Sequence, residues 1–279
     1  MALISIMSAK GAPGTTTTSM LLANLWPAPS ILVDADPLGG DVALRLPGEH
    51  GPLDLNRGLM SLLPAVRRGL EPQTVVEHAQ TALGGQQVLA GLPGPEQAVA
   101  AAPMWPGLAG AFARVPGVDV FADIGQVSSR STHLAMVESS AALLCVYRPT
   151  AWSAIHTRRR LDSLEDQLRD RQIRVGIACV ATASQSHDVA AAAASITQGL
   201  SWVHDYGVIA HDDSTVVIYE GGEVFRPERS LLVRSGHTLA RRLYADLAAV
   251  VAAPEVVAEA VAVAGDVRAR SRRGRRRAS

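Results

Sequence analysis

The sequence predicts a doubly wound α/β fold, a mostly parallel sheet with helices on both faces. Three observations predict it. Short, near-continuous apolar runs alternate with helical stretches along most of the 279 residues, as expected for strands buried on both faces and joined by crossover helices. The first run, Ala2–Met7 (ALISIM), ends at a glycine-containing stretch, Ser8–Thr18 (SAKGAPGTTTT), and a helical stretch follows at once. Two later strand-like runs lead into carboxylates, Asp36 and Asp123, and parallel sheets gather ligands at the carboxyl ends of their strands.

Each element follows from its local pattern. Ala2–Met7 reads as a buried strand, and Thr16–Leu25 as a helix that stops before Pro27. Ile31–Val33 is a second strand, running into Asp34-Ala35-Asp36-Pro37. Residues 37–117 are rich in Gly and Pro and carry short helical pieces, so they read as an irregular insertion or surface layer, with Val88–Ala90 as a strand candidate inside it. Val118–Ala122 is a strand preceding Asp123. Ala141–Tyr147, Arg174–Val180 and Tyr206–Ala210 complete the strands. Ala151–Arg171, Val189–Leu200 and Ser230–Val251 have helical spacing, and Pro254 interrupts the last of these. The organisation expected is one domain over residues 1–252, followed by a short helix at Glu255–Val263 and an arginine-rich tail.

Composition narrows the function. Apolar residues make up 48% and aromatics only 4%, so the core is expected to be built from small aliphatic side chains. Cys145 and Cys179 lie in apolar runs and read as buried thiols of a reducing compartment rather than a disulfide. No stretch of about 18 uncharged apolar residues occurs, so no membrane span is expected. Met1–Met7 is too short and lacks the basic flank of an export signal, so a cytoplasmic protein is expected. The eight histidines show no metal-ligand spacing, His204 and His211 falling in an expected loop region, and no Gly-x-Ser-x-Gly elbow is present. These features leave histidine-ligated metal sites, iron–sulfur proteins and serine hydrolases without support.

Charge is distributed unevenly. The net charge is zero, yet residues 266–279 hold seven arginines (Arg268, Arg270, Arg272, Arg273, Arg275, Arg276 and Arg277) against one aspartate. The body is therefore mildly acidic and the end basic. Such a tail either grips anionic partners, nucleic acid or a membrane surface, or serves solubility alone. Without aromatic residues it has nothing to stack on bases. Of the 26 basic residues only Lys10 is a lysine, and it stands beside the glycine stretch. Lysine serves phosphate as a flexible point charge.

A loop between a strand and a helix presents backbone N–H groups at the positive end of the helix dipole, where anions bind. Gly11 and Gly14 let the backbone approach a phosphate, the Thr16 hydroxyl is placed for Mg²⁺, Asp123 for holding that metal through a water, and Asp36 for orienting an attacking water. As an alternative, Asp34 and Asp36 act only as helix caps and turn formers, and Asp123 only caps a following turn.

These motifs point to a family. "AKGAPGTTTT" resembles the deviant Walker A loop of the ParA/MinD ATPases, Lys-Gly-Gly-x-Gly-Lys-Thr-[Thr/Ser]. "ILVDADPLGGD" is similar to the family's strand-Asp-x-Asp-Pro motif, "VDVFADIG" to its Walker B strand, and "RPERSLLVRSGHTLARRL" to its closing helix, all in the family's order over residues 1–250. The resemblance implies a P-loop fold that binds ATP and Mg²⁺. The phosphate cradle would be Lys10, Gly11, Ala12, Pro13, Gly14, Thr15, Thr16 and Thr17, and the metal group Thr16, Asp36 and Asp123. Lys10 would reach the nucleotide of the second subunit in a homodimer, with Asp36 beside the hydrolytic water. It also implies a role in positioning: chromosome or plasmid partition, septum placement, or localisation of pili and secretion machines, peripheral to nucleoid or membrane.

The sequence also departs from that pattern. Thr15 stands where the loop lysine belongs, Ala12 replaces a glycine, Ala181 falls near the place of the asparagine that often reads adenine, and the Walker B segment is one residue short between Asp119 and Asp123. Losing a charge-assisted hydrogen bond costs about 1.5–3 kcal/mol of binding, whereas losing cationic stabilisation of a phosphoryl group can cost roughly 10³–10⁵ in rate. The sequence therefore predicts weak nucleotide binding with slow or absent hydrolysis. Two readings stand: a dimer switch, and a non-hydrolysing adaptor that localises a pilus or secretion apparatus.

Overall fold

A computed structural model of the chain describes residues 1–11 and 14–249. Its elements follow in order: β1 (Leu3–Ser8), α1 (Thr15–Asn24), β2 (Ser30–Asp34), α2 (Val42–Arg45), β3 (Pro47–Gly48), β4 (Gly51–Pro52), α3 (Leu59–Val66), α4 (Pro72–His78), β5 (Gln80–Thr81), β6 (Gln87–Leu89), α5 (Pro95–Ala100) and α6 (Trp105–Phe112). Then come β7 (Asp119–Gln126), α7 (Leu134–Glu138), β8 (Ala142–Tyr147), α8 (Ala151–Asp170), β9 (Arg174–Ala181), α9 (Ser186–Thr197), β10 (Val203–Ala210) and α10 (Asp213–Val216). The last described helix, α11, runs over residues 231–249.

Eight strands form one sheet in the order β10-β9-β8-β1-β7-β2-β6-β5. Every pairing is parallel except β5 with β6. The chain leaves β1 for β2 on one side and later returns to build β8 on the other, so a topological switch lies at the carboxyl end of β1, where open α/β sheets form their crevice.

The apolar runs become strands because both faces of the sheet are covered. Leu3 and Met7 face one core, with Trp105, Leu108, Phe112, Leu161 and Ile196. Ile4 and Ile6 face the other, with Met20, Leu21, Leu22, Leu239 and Leu243. The period of two along β1 thus divides its side chains between two helical layers. Both cysteines are free and buried, as expected. Among the described residues no helix is long and apolar enough to cross a membrane.

Several expectations are corrected. Residues 37–117 are not a surface layer: β6 is a member of the main sheet, and Leu59, Leu62, Trp105, Leu108 and Phe112 are buried at 0–1% exposure. Their helices are short because Pro and Gly punctuate the segment, with Pro64 inside α3 and a proline in the first turn of α4, α5 and α6. β10 starts three residues earlier than expected and so includes His204, which belongs to a strand and not a loop. α9 starts at Ser186 instead of Val189, behind a short 3₁₀ turn at Ala183–Gln185. The expected final helix is met over 231–249, while Pro254, Glu255–Val263 and the tail arginines lie outside the described residues.

β10 borders the sheet on one side. Its register with β9 breaks between Asp205 and Val208, where Gly207 adopts φ +98°.

Candidate phosphate and metal site

β1 delivers the chain to the loop and α1 receives it. Gly14 caps α1 at φ 104°, ψ 0°, a left-handed conformation in which a side chain would be strained. The first turn of α1 is threonine throughout and holds no acidic residue, so its N–H groups keep a positive field for an anion. Ala12 and Pro13 lie outside the described residues.

The Thr16 hydroxyl donates to the carboxylate of Asp123. This bond ties the first turn of α1 to β7, far away in sequence but adjacent in space. Asp123 is 1% exposed and its Oδ1 also accepts the Gly125 N–H at 3.3 Å. Register places Asp34 of β2 beside Asp123, and Asp34 is equally buried, its Oδ2 accepting the Val42 N–H at 2.8 Å. Burial, and then the neighbouring charge of Asp123, pushes Asp34 up to about 8. Burial likewise pushes Asp123 up to about 6, against the lowering effect of Thr16.

Asp36 reaches the same place from the end of β2. Gly125 has φ +57°, and a Cβ there would fall 2.4 Å from the Asp36 carboxylate; the glycine is what lets this side chain lie across β7. Asp36 Oδ1 also accepts the Leu38 N–H at 2.9 Å. The capping roles are thus present too: Asp34 receives the first N–H of α2 and Asp36 closes a turn.

Gly11, Gly14, Thr15, Thr16, Thr17, Asp36 and Asp123 line one cleft of about 180 Å³, with Ser8, Arg45, Gly125 and Gln126. An adjoining hollow of about 170 Å³ shares Gly14, Thr17 and Arg45 and is walled mostly by Val180, Ile209, Val216 and Leu232, with Arg148, His211 and Asp212 at its polar positions. A polar end with carboxylates therefore opens into a mostly apolar end. Among the described residues no group of three or more His, Cys, Asp or Glu is placed to hold a metal by itself. The donor set fits Mg²⁺ nonetheless, which binds through one or two carboxylates and substrate phosphates while retaining waters.

Lys10 does not line that cleft. It is exposed and lines neighbouring hollows instead. One, of about 380 Å³, it shares with Arg148, Trp152 and His156, and a second, of about 390 Å³, with Gln126, Arg159 and Arg160. The Arg160 Nη2 donates to the Ala9 carbonyl at 3.2 Å. Sequence reasoning missed Arg45 and Gln126 in the cleft and the arginines beside Lys10. Gln126 alone carried a signal, three residues past Asp123 on the same strand.

Strand, glycine loop and helix thus meet at the switch of a parallel sheet. Among solved structures the chain superimposes on a ParA family ATPase from Chlorobium tepidum TLS, with TM-score 0.66 and 16% identity over 87% of this chain and 98% of that one. It matches a variant of McdA from Cyanothece in complex with ATP, with TM-score 0.65 and 14% identity over 87% and 95%. It also matches the septum site-determining protein MinD from Pyrococcus horikoshii OT3, complexed with Mg-ADP, with TM-score 0.60 and 16% identity over 87% and 95%. The chain has the fold of the ParA and MinD ATPases. No protein-family profile and no curated protein sequence matches it.

Proposed function

We propose that the chain is a ParA/MinD-type nucleotide-binding protein acting in intracellular positioning or partitioning, as a homodimer switch with weak or no ATP hydrolysis. The observation that carries this reading is the convergence of the glycine loop, the Thr16–Asp123 hydrogen bond and Asp36 on one cleft. Solved structures of this fold include an ATP complex and an Mg-ADP complex, and the named relatives include a septum site-determining protein.

The N–H groups of the loop and of the first turn of α1 bind phosphate oxygens. Thr16 and Asp123 would hold Mg²⁺, with Asp36 close by. When bound, the metal supplies neutralisation of phosphate charge. Asp36 is at the cleft surface, where it orients a water. Lys10 faces outward, so its ammonium serves the nucleotide of a second copy rather than that of its own chain. Thr15 supplies no charge, so binding outlasts turnover.

Size-exclusion chromatography with ATP and Mg²⁺ tests the switch. The expected result is a shift to dimer that Lys10→Ala abolishes. Absence of a shift in the parent chain overturns the switch and favours the non-hydrolysing adaptor of a pilus or secretion apparatus, the reading that Thr15 supports. Turnover of radiolabelled ATP at ordinary ATPase rates overturns weak hydrolysis. The tail arginines are read as a nonspecific grip on DNA or anionic membrane. A salt titration of DNA and of anionic liposomes, with and without residues 266–279, separates the two partners and tests both.

A further inference from the structure

A phosphate loop that lacks its lysine leaves a triphosphate short of one positive charge. The described lining of the cleft contains two carboxylates, Asp36 and Asp123, and one cation, Arg45. Arg45 also lines the adjoining apolar hollow, so its side chain stands at the junction between the polar and apolar ends, beside Gly14 and Thr17. The position is fixed from below: Arg45 ends α2, and the first N–H of α2 is held by the buried carboxyl of Asp34.

The guanidinium has a displaceable partner. Arg45 Nη2 lies 3.3 Å from Glu220 Oε1, with side-chain exposures of 27% and 54%. An exposed pair of this kind holds weakly. A phosphate offers the planar fork of arginine two parallel charge-assisted hydrogen bonds, and so outcompetes a single carboxylate contact.

We propose that Arg45 is the phosphate-binding cation of this cleft, taking the place of the loop lysine from the opposite wall, and that Glu220 holds it in reserve until a nucleoside polyphosphate enters. This inference rests on the nucleotide-binding reading above and adds to it the residue that supplies the missing charge.

Calorimetric titration of Mg-ATP into the full chain and into Arg45→Ala, Arg45→Lys and Glu220→Gln variants tests it. Arg45→Ala is expected to weaken ATP binding at least about tenfold, the effect of one charge-assisted hydrogen bond. Arg45→Lys, which keeps the charge but loses the fork, is expected to weaken it less. Glu220→Gln is expected to tighten binding about two- to fivefold, by releasing an exposed ion pair. The Glu220 variant keeps the test decisive should Arg45→Ala fail to fold. A folded Arg45→Ala chain with parental affinity, or Glu220→Gln with no gain, overturns the Arg45 assignment while nucleotide binding stands. Absence of ATP binding by the parent chain overturns both.

Discussion

The loop between β1 and α1 separates two walls of opposite character. On one side Asp34, Asp36 and Asp123 crowd the carboxyl ends of β2 and β7, with two of the three almost fully buried. On the other side Lys10, Arg148, His156, Arg159 and Arg160 line two hollows whose described linings hold no carboxylate. The acidic wall is dry, tied together by hydrogen bonds and costly to keep ionised. The basic wall is half-exposed to exposed and built from Lys10 on the loop, Arg148 after β8 and the side chains of His156, Arg159 and Arg160 on α8. The difference teaches that the two walls do not neutralise each other. Buried carboxylates beside a helix N-terminus fit the metal-bound phosphate proposed above. The basic wall meets that cleft at Gly11 and Gln126, and its Arg148 also lines the adjoining hollow.

The sharpest way to break the acidic wall is Gly125→Leu. A side chain at φ +57°, driven into the Asp36 carboxylate, is expected to cost about 2–5 kcal/mol, read by urea denaturation, and to evict Asp36 from the cleft. Next comes pH. The folded-state values of Asp34 and Asp123, about 8 and about 6, lie above their ordinary 3.8. The folded chain therefore binds more protons than the unfolded one between these limits, so its stability is greater at low pH and is lost as pH rises through about 6 and then about 8. Asp34 alone contributes a fall of up to about 1.4 kcal/mol per pH unit on its way to that value. Thermal melts at pH 6 and pH 8 are expected to show the drop, and Asp34→Asn, which keeps an acceptor for the Val42 N–H, is expected to flatten it. A melting temperature that instead rises with pH in the parent chain contradicts the placement of this carboxyl.

Thr16→Val is a smaller change. It removes the hydroxyl that bonds Asp123, and it is expected to cut Mg²⁺-dependent nucleotide affinity by roughly tenfold or more while leaving a folded chain. The basic wall should barely register in stability. Arg159→Ala and Lys10→Ala are expected to shift unfolding free energy by no more than about 0.5 kcal/mol, and a larger loss would mean that this wall is structural after all.

The acidic wall was largely legible in the sequence because its parts sit at the ends of uninterrupted apolar runs. ALISIM and VDVFA read as strands by composition alone, and Asp123 follows the second run directly, although β7 continues past it to Gln126, so this carboxylate lies within the strand and not at its end as expected. Asp36 and Asp123 could nonetheless be brought to the glycine loop before any coordinates. Arg45 could not, since nothing in its spacing, nine residues past Asp36, connects it to the loop; it arrives there through the turn closed by Asp36 and the grip of Asp34 on α2. The basic wall was illegible for a similar reason. It is assembled across elements, from Lys10 on the loop and Arg148, His156, Arg159 and Arg160 around the start of α8. The segment 37–117 was misread because its buried residues come in pieces too short for a period to emerge: Trp105 and Leu108 pack into the core from a helix of eight residues that begins Trp-Pro-Gly.

One feature at the margin of the sheet bears on how this protein behaves in a crowded solution. An outermost strand normally offers a row of unused amide groups onto which a stranger can zip. The bulge at Asp205–Val208, with its left-handed glycine, breaks that row halfway and sets a carboxylate beside the break. Fibril-like stacking of one molecule's border onto the next is thereby discouraged.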